Sequence, residues 1–569
     1  MDHTESVNPS GLQPVFPDYV PTAPQLLRVG AERFGRNECV VTPDLRLTFA
    51  ELEERSAALS AWLVQVGVVK GSRVGVLFPN GIDWVTSWAA AARLGAVTVP
   101  VNTFYKAPEL ARFMRHADVQ FLLGVSSFMH HDYVTRLEDA APELSTHGPG
   151  PLYLQSLPQL RRVVLWGSDV PSWAHAGASE SSWHVGPAYA SIVRAMGDDV
   201  TPDDEMLVTY TSGSTGEPKG VVHSHGAIIR HASNLAALSG VDQHSRIWTP
   251  MPFCWVGGFV FCLLRALVAG GCLLTQEYLE PGAALQLLSR EGVTEVNAWP
   301  GVTKAMLEHP TYAATYFSNL QKGWYEALPP DRRPSDLGAV VNSLGMSETC
   351  GPHTFRLPGE DVTGAPPAYR GSFGHEVPGT EHRIVDPQTG IDLPEGEEGE
   401  VLVRGYNLML GLHRCERAKT FDSDGWYHTG DRGYFRDGWF FFTGRQTDLI
   451  KTGGSNVAPA EVEDCLMSYD DVKLAFVVGI PDEVRGQEVV ALVVPWNQDT
   501  VPGAPAAPDG QVLIERLRAE LSTYKIPRHI LVISDDLVPW LVSQKVDRRA
   551  LVTLAQDVLT TADEPFLLS

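Results

Sequence analysis

One run of eleven residues constrains this chain more than any other feature. Tyr210-Thr-Ser-Gly-Ser-Thr-Gly-Glu-Pro-Lys-Gly220 interleaves hydroxyls with glycines, between the apolar stretches 206–208 and 221–222. Glycines let a backbone approach a polyanion closely, N–H groups can turn inward, hydroxyls donate, and Lys219 adds a positive charge. It is not a Walker A loop, in which GxxxxGK is followed by Ser or Thr; here Lys219 lies between Pro218 and Gly220. A plain Ser/Gly turn would need this order by accident. The run is read as a phosphate-binding loop.

The surroundings supply a scaffold for such a loop. Thr48 and Glu51 have capping-box spacing ahead of a helix with Leu52, Leu59 and Leu63 on one face. A strand over 73–78, a helix over 84–94, a strand over 96–101, an amphipathic helix near 110–116 and a strand over 120–125 follow. This alternation predicts βαβ units and a largely parallel sheet. Residues 145–187 read as loop apart from a strand at 162–166. Strands are expected at 400–404 and 439–442. From 459 onward a helix, strands at 474–478 and 489–494, a helix at 512–521 and a strand at 530–533 form a compact α+β unit. The fold class is therefore α/β, a large N-terminal domain over 1–446 with a small α+β domain over 447–569. A length of 569 residues also calls for more than one domain.

Composition narrows the partners. Lys and Arg total 44 against 68 Asp and Glu, a net charge of −24. Such a field repels nucleic-acid backbones and anionic lipid, while a small phosphate ligand needs only a local site. Seven cysteines without a CxxC suggest neither a disulfide framework nor zinc. The N-terminus lacks a basic start and an apolar core of the signal-peptide kind. The most membrane-like stretch, 256–274, is interrupted by Arg265 and reads as a buried helix and turn. The expected compartment is the cytoplasm.

Further motifs occur in a fixed order: 92–100 (ARLGAVTVP), 343–348 (SLGMSE), 427–431 (YHTGD), 444–451 (GRQTDLIK) followed by Gly453 and Gly454, 459–463 (PAEVE), and 539–549 ending in Lys545-Val-Asp-Arg-Arg549. With the 210–220 run, this set resembles the acyl-adenylate-forming (ANL) superfamily over roughly residues 20–552, and within it the AMP-forming acyl-CoA synthetases. The resemblance implies ATP, Mg²⁺ and coenzyme A as cofactors. Its small domain is expected to rotate between adenylation and thioester formation.

The same resemblance assigns roles by position. Thr211, Ser212, Gly213, Ser214, Thr215, Gly216 and Lys219 would cradle phosphates. Glu348 would hold Mg²⁺, with Thr211 beside it, since a hard cation favours oxygen. Leu344 and Ser347 would border the nucleotide, Asp431 would accept the ribose hydroxyls, and Arg445 would reach the ribose or phosphates. Lys545 would be the main catalytic charge, with Glu348 as its partner in catalysis. Trp255, Gly257 and Gly323 are substrate-side candidates, and Gly323, Trp324 and Tyr325 are candidates to cover the adenine. Thr447 and Asp448 mark the hinge, and Lys451, Gly453 and Gly454 the CoA side. Departures from the family pattern are Leu344 at an aromatic position, Trp255 at a histidine position, Thr447 at the pivot and Gln544 for glycine. The expected activity is ATP-dependent activation of an apolar carboxylic acid, then transfer to CoA. Alternatives are loading of a carrier-protein thiol, or a non-catalytic nucleotide- or acyl-binding homologue. Partners are expected to be the acid, ATP and CoA, with no nucleic acid and no integral membrane segment; a homodimer is an open option.

Overall fold

The structure, a computed structural model, describes residues 11–177, 183, 187–211, 219–329, 332, 340–360, 365–445, 450–452, 455–457, 459–482, 485–496, 506–521, 523–541 and 546–561. It is a mixed α/β protein. Helix Phe49–Gln65 starts as the sequence predicts: the Thr48 hydroxyl accepts from the Glu51 N–H at 3.2 Å, and the Glu51 carboxylate accepts from the Thr48 N–H at 2.8 Å.

Short apolar strands separated by helices Ile82–Arg93 and Ala107–His116 build an eight-stranded sheet. Its order is Gly411–Leu412, Lys219–Ser224, Glu205–Thr211, Val97–Pro100, Arg73–Leu77, Phe121–Val125, Arg162–Trp166 and His175–Ala176. From Glu205–Thr211 to His175–Ala176 every pairing is parallel, whereas Lys219–Ser224 pairs antiparallel on both sides. Parallel neighbours need crossovers and two covered faces, which the nearly continuous apolar strands reflect. A second sheet, in the order Glu295–Val296, Arg246–Trp248, Cys272–Leu274, Glu38–Val41 and Arg46–Thr48, has strands of only two to four residues. In 145–187 the strand Arg162–Trp166 is present as expected. The short turn Pro142–Thr146 and the two-residue strand His175–Ala176 are too brief to leave a periodic pattern.

The membrane-like stretch is buried, as read, but its helix is of an unexpected type. Gly257–Leu264 is a wide π-helix, continued by α-helix Arg265–Val268 and strand Cys272–Leu274. Wide helical turns of this kind gather at functional sites. Arg265 is fully buried and pairs with the Glu295 carboxylate. No helix among the described residues is long and apolar enough to cross a membrane.

Contacts group the chain into two compact units: one of Met1–His382, Val403–Tyr427 and Gly438–Phe440, the other of Arg383–Leu402, His428–Asp437 and Phe441–Ser569. In the second, Val472–Asp482 and Gly486–Pro495 pair as a long antiparallel ladder, and Gly486–Pro495 also pairs with Ile450–Thr452 (antiparallel) and His529–Val532 (parallel). Helices Pro459–Met467, Gly510–Glu520 and Arg548–Thr561 complete it.

Candidate active site

In the first unit, strands Glu205–Thr211 and Lys219–Ser224 pair so that Thr211 faces Lys219 and Tyr210 faces Gly220. Ser212, Gly213, Ser214, Thr215 and Gly216 lie outside the described residues. What is fixed is where their loop leaves and returns. The Tyr210 hydroxyl bonds His116 Nδ1 at 2.9 Å, and the His413 N–H donates to the Gly220 carbonyl at 2.7 Å. A Cβ on Gly220 would lie 2.9 Å from the Tyr210 hydroxyl, so this glycine permits the hairpin's tight root. Lys219 is exposed at the loop's exit.

The Glu348 segment is a short hairpin: Leu344–Met346 pairs antiparallel with Gly351–Phe355 through the turn Ser347–Thr349. Three bonds from elsewhere hold that turn by its backbone. His223 Nε2 meets the Ser347 carbonyl at 2.7 Å, the Met409 N–H donates to the Glu348 carbonyl at 2.9 Å, and Asn407 Nδ2 donates to the Thr349 carbonyl at 3.0 Å. Burial, only partly offset by the bond to Ser347, lowers the His223 pKa to about 4. The imidazole is therefore neutral near pH 7 and donates through Nε2. Since His223 lies on the strand that begins at Lys219, one bond ties this strand pair to the Glu348 turn. The Glu348 carboxylate is half-buried and has no hydrogen bond or ion pair among the described residues. Leu344 and Ser347 are half-buried on the same hairpin. His223, Asn407 and Met409 escaped the sequence reading; a histidine inside the apolar run Val221–Ser224 was the available signal.

The substrate-side candidates lie on the second sheet's loops. Buried Asn80 clamps the segment before Trp255, donating to the Met251 carbonyl at 2.8 Å and accepting from the Phe253 N–H at 2.9 Å. The Thr209 hydroxyl donates to the Cys254 carbonyl at 3.3 Å, joining this segment to the phosphate-hairpin strand. Trp255 is half-buried and meets Trp299, also half-buried, edge to face at 5.7 Å. Gly257 has room for a side chain beside Met251, whereas a Cβ on Gly258 would lie 2.4 Å from the Pro252 carbonyl. Gly323 has φ +92°, and a Cβ there would collide with the Val296 carbonyl, so its bareness serves backbone packing. Trp324 corrects an expectation. It is 1% exposed, wedged between Tyr312 and Phe317, and belongs to the core rather than to an adenine cover.

In the second unit, Asp431 is buried on strand Tyr427–Arg436. Its N–H donates to the Thr429 hydroxyl at 3.0 Å, which in turn donates to the Val401 carbonyl at 2.6 Å. Arg445 ends strand Trp439–Arg445. Thr447, Asp448, Gly453, Gly454 and Lys545 lie outside the described residues, and Lys451 is described only as part of strand Ile450–Thr452. The flanks of Lys545 are nonetheless anchored. Trp540 bridges Val546, the Asp547 N–H donates to the Pro539 carbonyl at 2.8 Å, and Arg548 pairs with buried Glu463 at 3.0 Å. Two motif residues, Glu463 and Arg548, thus prove to be each other's partners.

The sequence reading missed a cavity of about 510 Å³ in this unit. Thr452, Arg485, Gln511, Arg518, Arg528 and His529 line it, with Glu488 at its wall. Glu488 pairs with Arg528 at 3.2 Å, while the Arg485 and Arg518 guanidiniums pair with no carboxylate among the described residues. Among the described residues the cavity therefore carries two guanidiniums with no carboxylate partner, a chemistry that suits a phosphorylated ligand.

Residues 27–413 match the AMP-binding enzyme family, and residues 461–539 match the AMP-binding enzyme C-terminal domain. The mitochondrial medium-chain acyl-CoA ligase ACSF2 of Danio rerio is 29% identical over 557 residues, covering 93% of this chain and 88% of the relative. The same ligase of Mus musculus is 28% identical over 552 residues, covering 93% and 86%. Among solved structures, the anthranilate CoA ligase AuaEII in complex with anthranoyl-AMP shares the fold with a TM-score of 0.76 at 22% identity, over 97% of this chain and 100% of that one. ATP-bound MatB from Rhodopseudomonas palustris does so at 0.74 and 24%, over 94% and 99%.

Proposed function

The chain belongs to the AMP-binding enzyme family, within the ANL superfamily, and from that premise we propose that it joins an apolar carboxylic acid to AMP, releases pyrophosphate, and passes the acyl group to the thiol of coenzyme A. A carboxylate resists substitution because oxide is a poor leaving group; AMP is a good one. The hairpin between Thr211 and Lys219 binds the β- and γ-phosphates with backbone N–H groups, hydroxyls and one ammonium. Asp431 accepts from the ribose hydroxyls, Arg445 supports the same region, and Lys545 neutralises charge that develops at the α-phosphorus.

The donor set suits Mg²⁺. Glu348 is an oxygen ligand that no described residue compensates, and the described residues contain no cluster of three His, Cys, Asp or Glu that would hold a metal by itself. Glu348, with the Thr211 hydroxyl as the second candidate ligand, would hold the ion beside the phosphates. Bound Mg²⁺ supplies neutralisation of phosphate charge during pyrophosphate departure.

The observation that carries the choice of acceptor is the basic cavity beside Thr452. Coenzyme A ends in a phosphorylated adenosine diphosphate, which suits Arg485 and Arg518, neither of which pairs with a carboxylate among the described residues. The domain border near 446–447, with Thr447 and Asp448 as its pivot and Lys451, Gly453 and Gly454 on the thiol side, belongs to the same proposal. The test is pyrophosphate release across a panel of apolar acids, followed by thioester detection with CoA. Arg485→Ala and Arg518→Ala should each raise the KM for CoA about tenfold, the equivalent of about 1.4 kcal/mol, and leave KM for pantetheine, which lacks the nucleotide, unchanged. An unaltered KM for CoA removes the cavity from the reaction.

A further inference from the structure

Four tryptophans of the first unit are sealed in its core: Trp84, Trp88, Trp248 and Trp324 are each less than 2% exposed. Trp255 and Trp299 differ. Each keeps part of its surface open, and they meet edge to face at an interplanar angle of 67°, a favoured aromatic geometry. Each is also held from behind. Trp255 follows the Asn80 clamp, and its carbonyl accepts from the Phe259 N–H at 3.0 Å where the wide helix begins. Trp299 caps helix Pro300–Leu307, its carbonyl accepting from the Val302 and Thr303 N–H groups at 2.9 and 3.2 Å.

The support under Trp299 runs deeper. Asn297 donates to the Glu295 carboxylate at 2.7 Å, and its carbonyl accepts from the Thr249 hydroxyl at 2.8 Å. Glu295 is itself fixed by buried Arg265 and Lys322. Two indoles meeting at a wide angle, each carried on backbone held by these bonds, form a corner.

We propose that Trp299 is a specificity-determining residue of the acid site: with Trp255 it forms a corner that limits the length of the apolar tail, favouring flat or compact acids over long unbranched ones. The proposal rests on the reading of Trp255 as a wall of the acid pocket. A change of one methylene in such a pocket alters selection by roughly 10–200-fold, so removal of an indole is measurable.

The experiment uses the full chain and follows pyrophosphate release with an aromatic acid and a graded series of unbranched acids. Trp299→Ala should move the optimum toward longer tails and change the ratio of kcat/KM between long and aromatic acids by about tenfold or more, with KM for ATP unchanged. Trp299→Phe, which keeps an aromatic edge, should fall between. A Trp299→Ala enzyme with the original acid ratio and only a lower melting temperature overturns the proposal. Trp255→Ala, measured alongside, separates the failures. If it shifts the acid ratio and Trp299→Ala does not, the role of Trp299 falls and the pocket stands. If neither shifts it, the pocket reading falls too. Absence of pyrophosphate release with every acid overturns both the corner and the function it serves.

Discussion

The turn that carries Glu348 and the cavity beside Thr452 solve opposite problems. Around Glu348 the backbone is gripped by His223, Met409 and Asn407, and the gripping imidazole is buried and neutral. Around the cavity the lining includes three long guanidiniums, and Arg485, Arg518 and Arg528 are exposed. On the proposed reading Glu348 shares an ion with a triphosphate, and such a carboxylate has to be in place beforehand, because error in its position reaches the reacting phosphorus. A site that only captures a phosphate can rely on flexible charge, which finds its partner on arrival. On that reading the fold places buried polar groups where position matters and leaves them out where charge suffices.

Three measurements bear on this contrast. The largest effect is expected from Lys545→Ala, which tests whether the division by unit is also a division by reaction. Lys545 belongs to the residues of the second unit, yet it is assigned to adenylation. Its loss should lower acyl-AMP formation by roughly 10²–10³ or more and largely spare thioester formation from supplied acyl-AMP. Equal loss in both half-reactions refutes the separate roles.

Glu348→Gln comes next. The amide keeps the shape and removes the charge, so more Mg²⁺ should be needed for half-maximal adenylation. Turnover at saturating metal should fall about tenfold or more, while adenosine binding changes little. An unaltered magnesium requirement detaches Glu348 from the metal and leaves the rigid turn without a purpose.

The smallest effect is a pH dependence confined to the first unit. Burial holds the pKa values of His223, His225 and His231 at about 4, 3 and 3, and that of His353 well below its ordinary value. A histidine depressed in the folded state stabilises it above the unfolded pKa of about 6.5. That stability is lost as pH falls toward the folded value. At pH 6 the loss is about 1 kcal/mol per residue by linkage. Both histidines of the second unit, His428 and His529, are reached by solvent. Proteolysis or hydrogen exchange at pH 6 should therefore show the first unit loosening ahead of the second; simultaneous loosening contradicts the contrast.

Local patterns explain what could be read in advance. The capping box at Thr48 and the βαβ alternation over 73–125 are short-range signals, and both are present in the fold. The second sheet was harder, because strands such as Glu295–Val296 are too short to show a period. The same limit hid the partners of the site. Ordered motifs point to Glu348 and Asp431, yet nothing near Glu348 in the chain announces that His223 and Asn407 hold its turn. Trp299 and the cavity arginines were missed because each lies beside residues distant in sequence. Trp324 was misassigned since an aromatic residue in a loop-like run looks the same whether it faces a ligand or a core.

The buried charges behind Trp299 also govern how the gene can be cut and rejoined. Glu295 loses solvation, but Arg265 and Lys322 outweigh that penalty and keep its carboxyl down at about 2; Arg265 also donates to the Ser239 hydroxyl at 2.8 Å. A buried ion left without its counter-charge costs about 3–5 kcal/mol, a large share of a domain's net stability. Crossovers within 239–322 would join an arginine from one parent to a residue from another that was never selected to neutralise it. In chimeras with relatives, that span should be inherited as one block, and library designs that respect it should yield more folded progeny than random breakpoints.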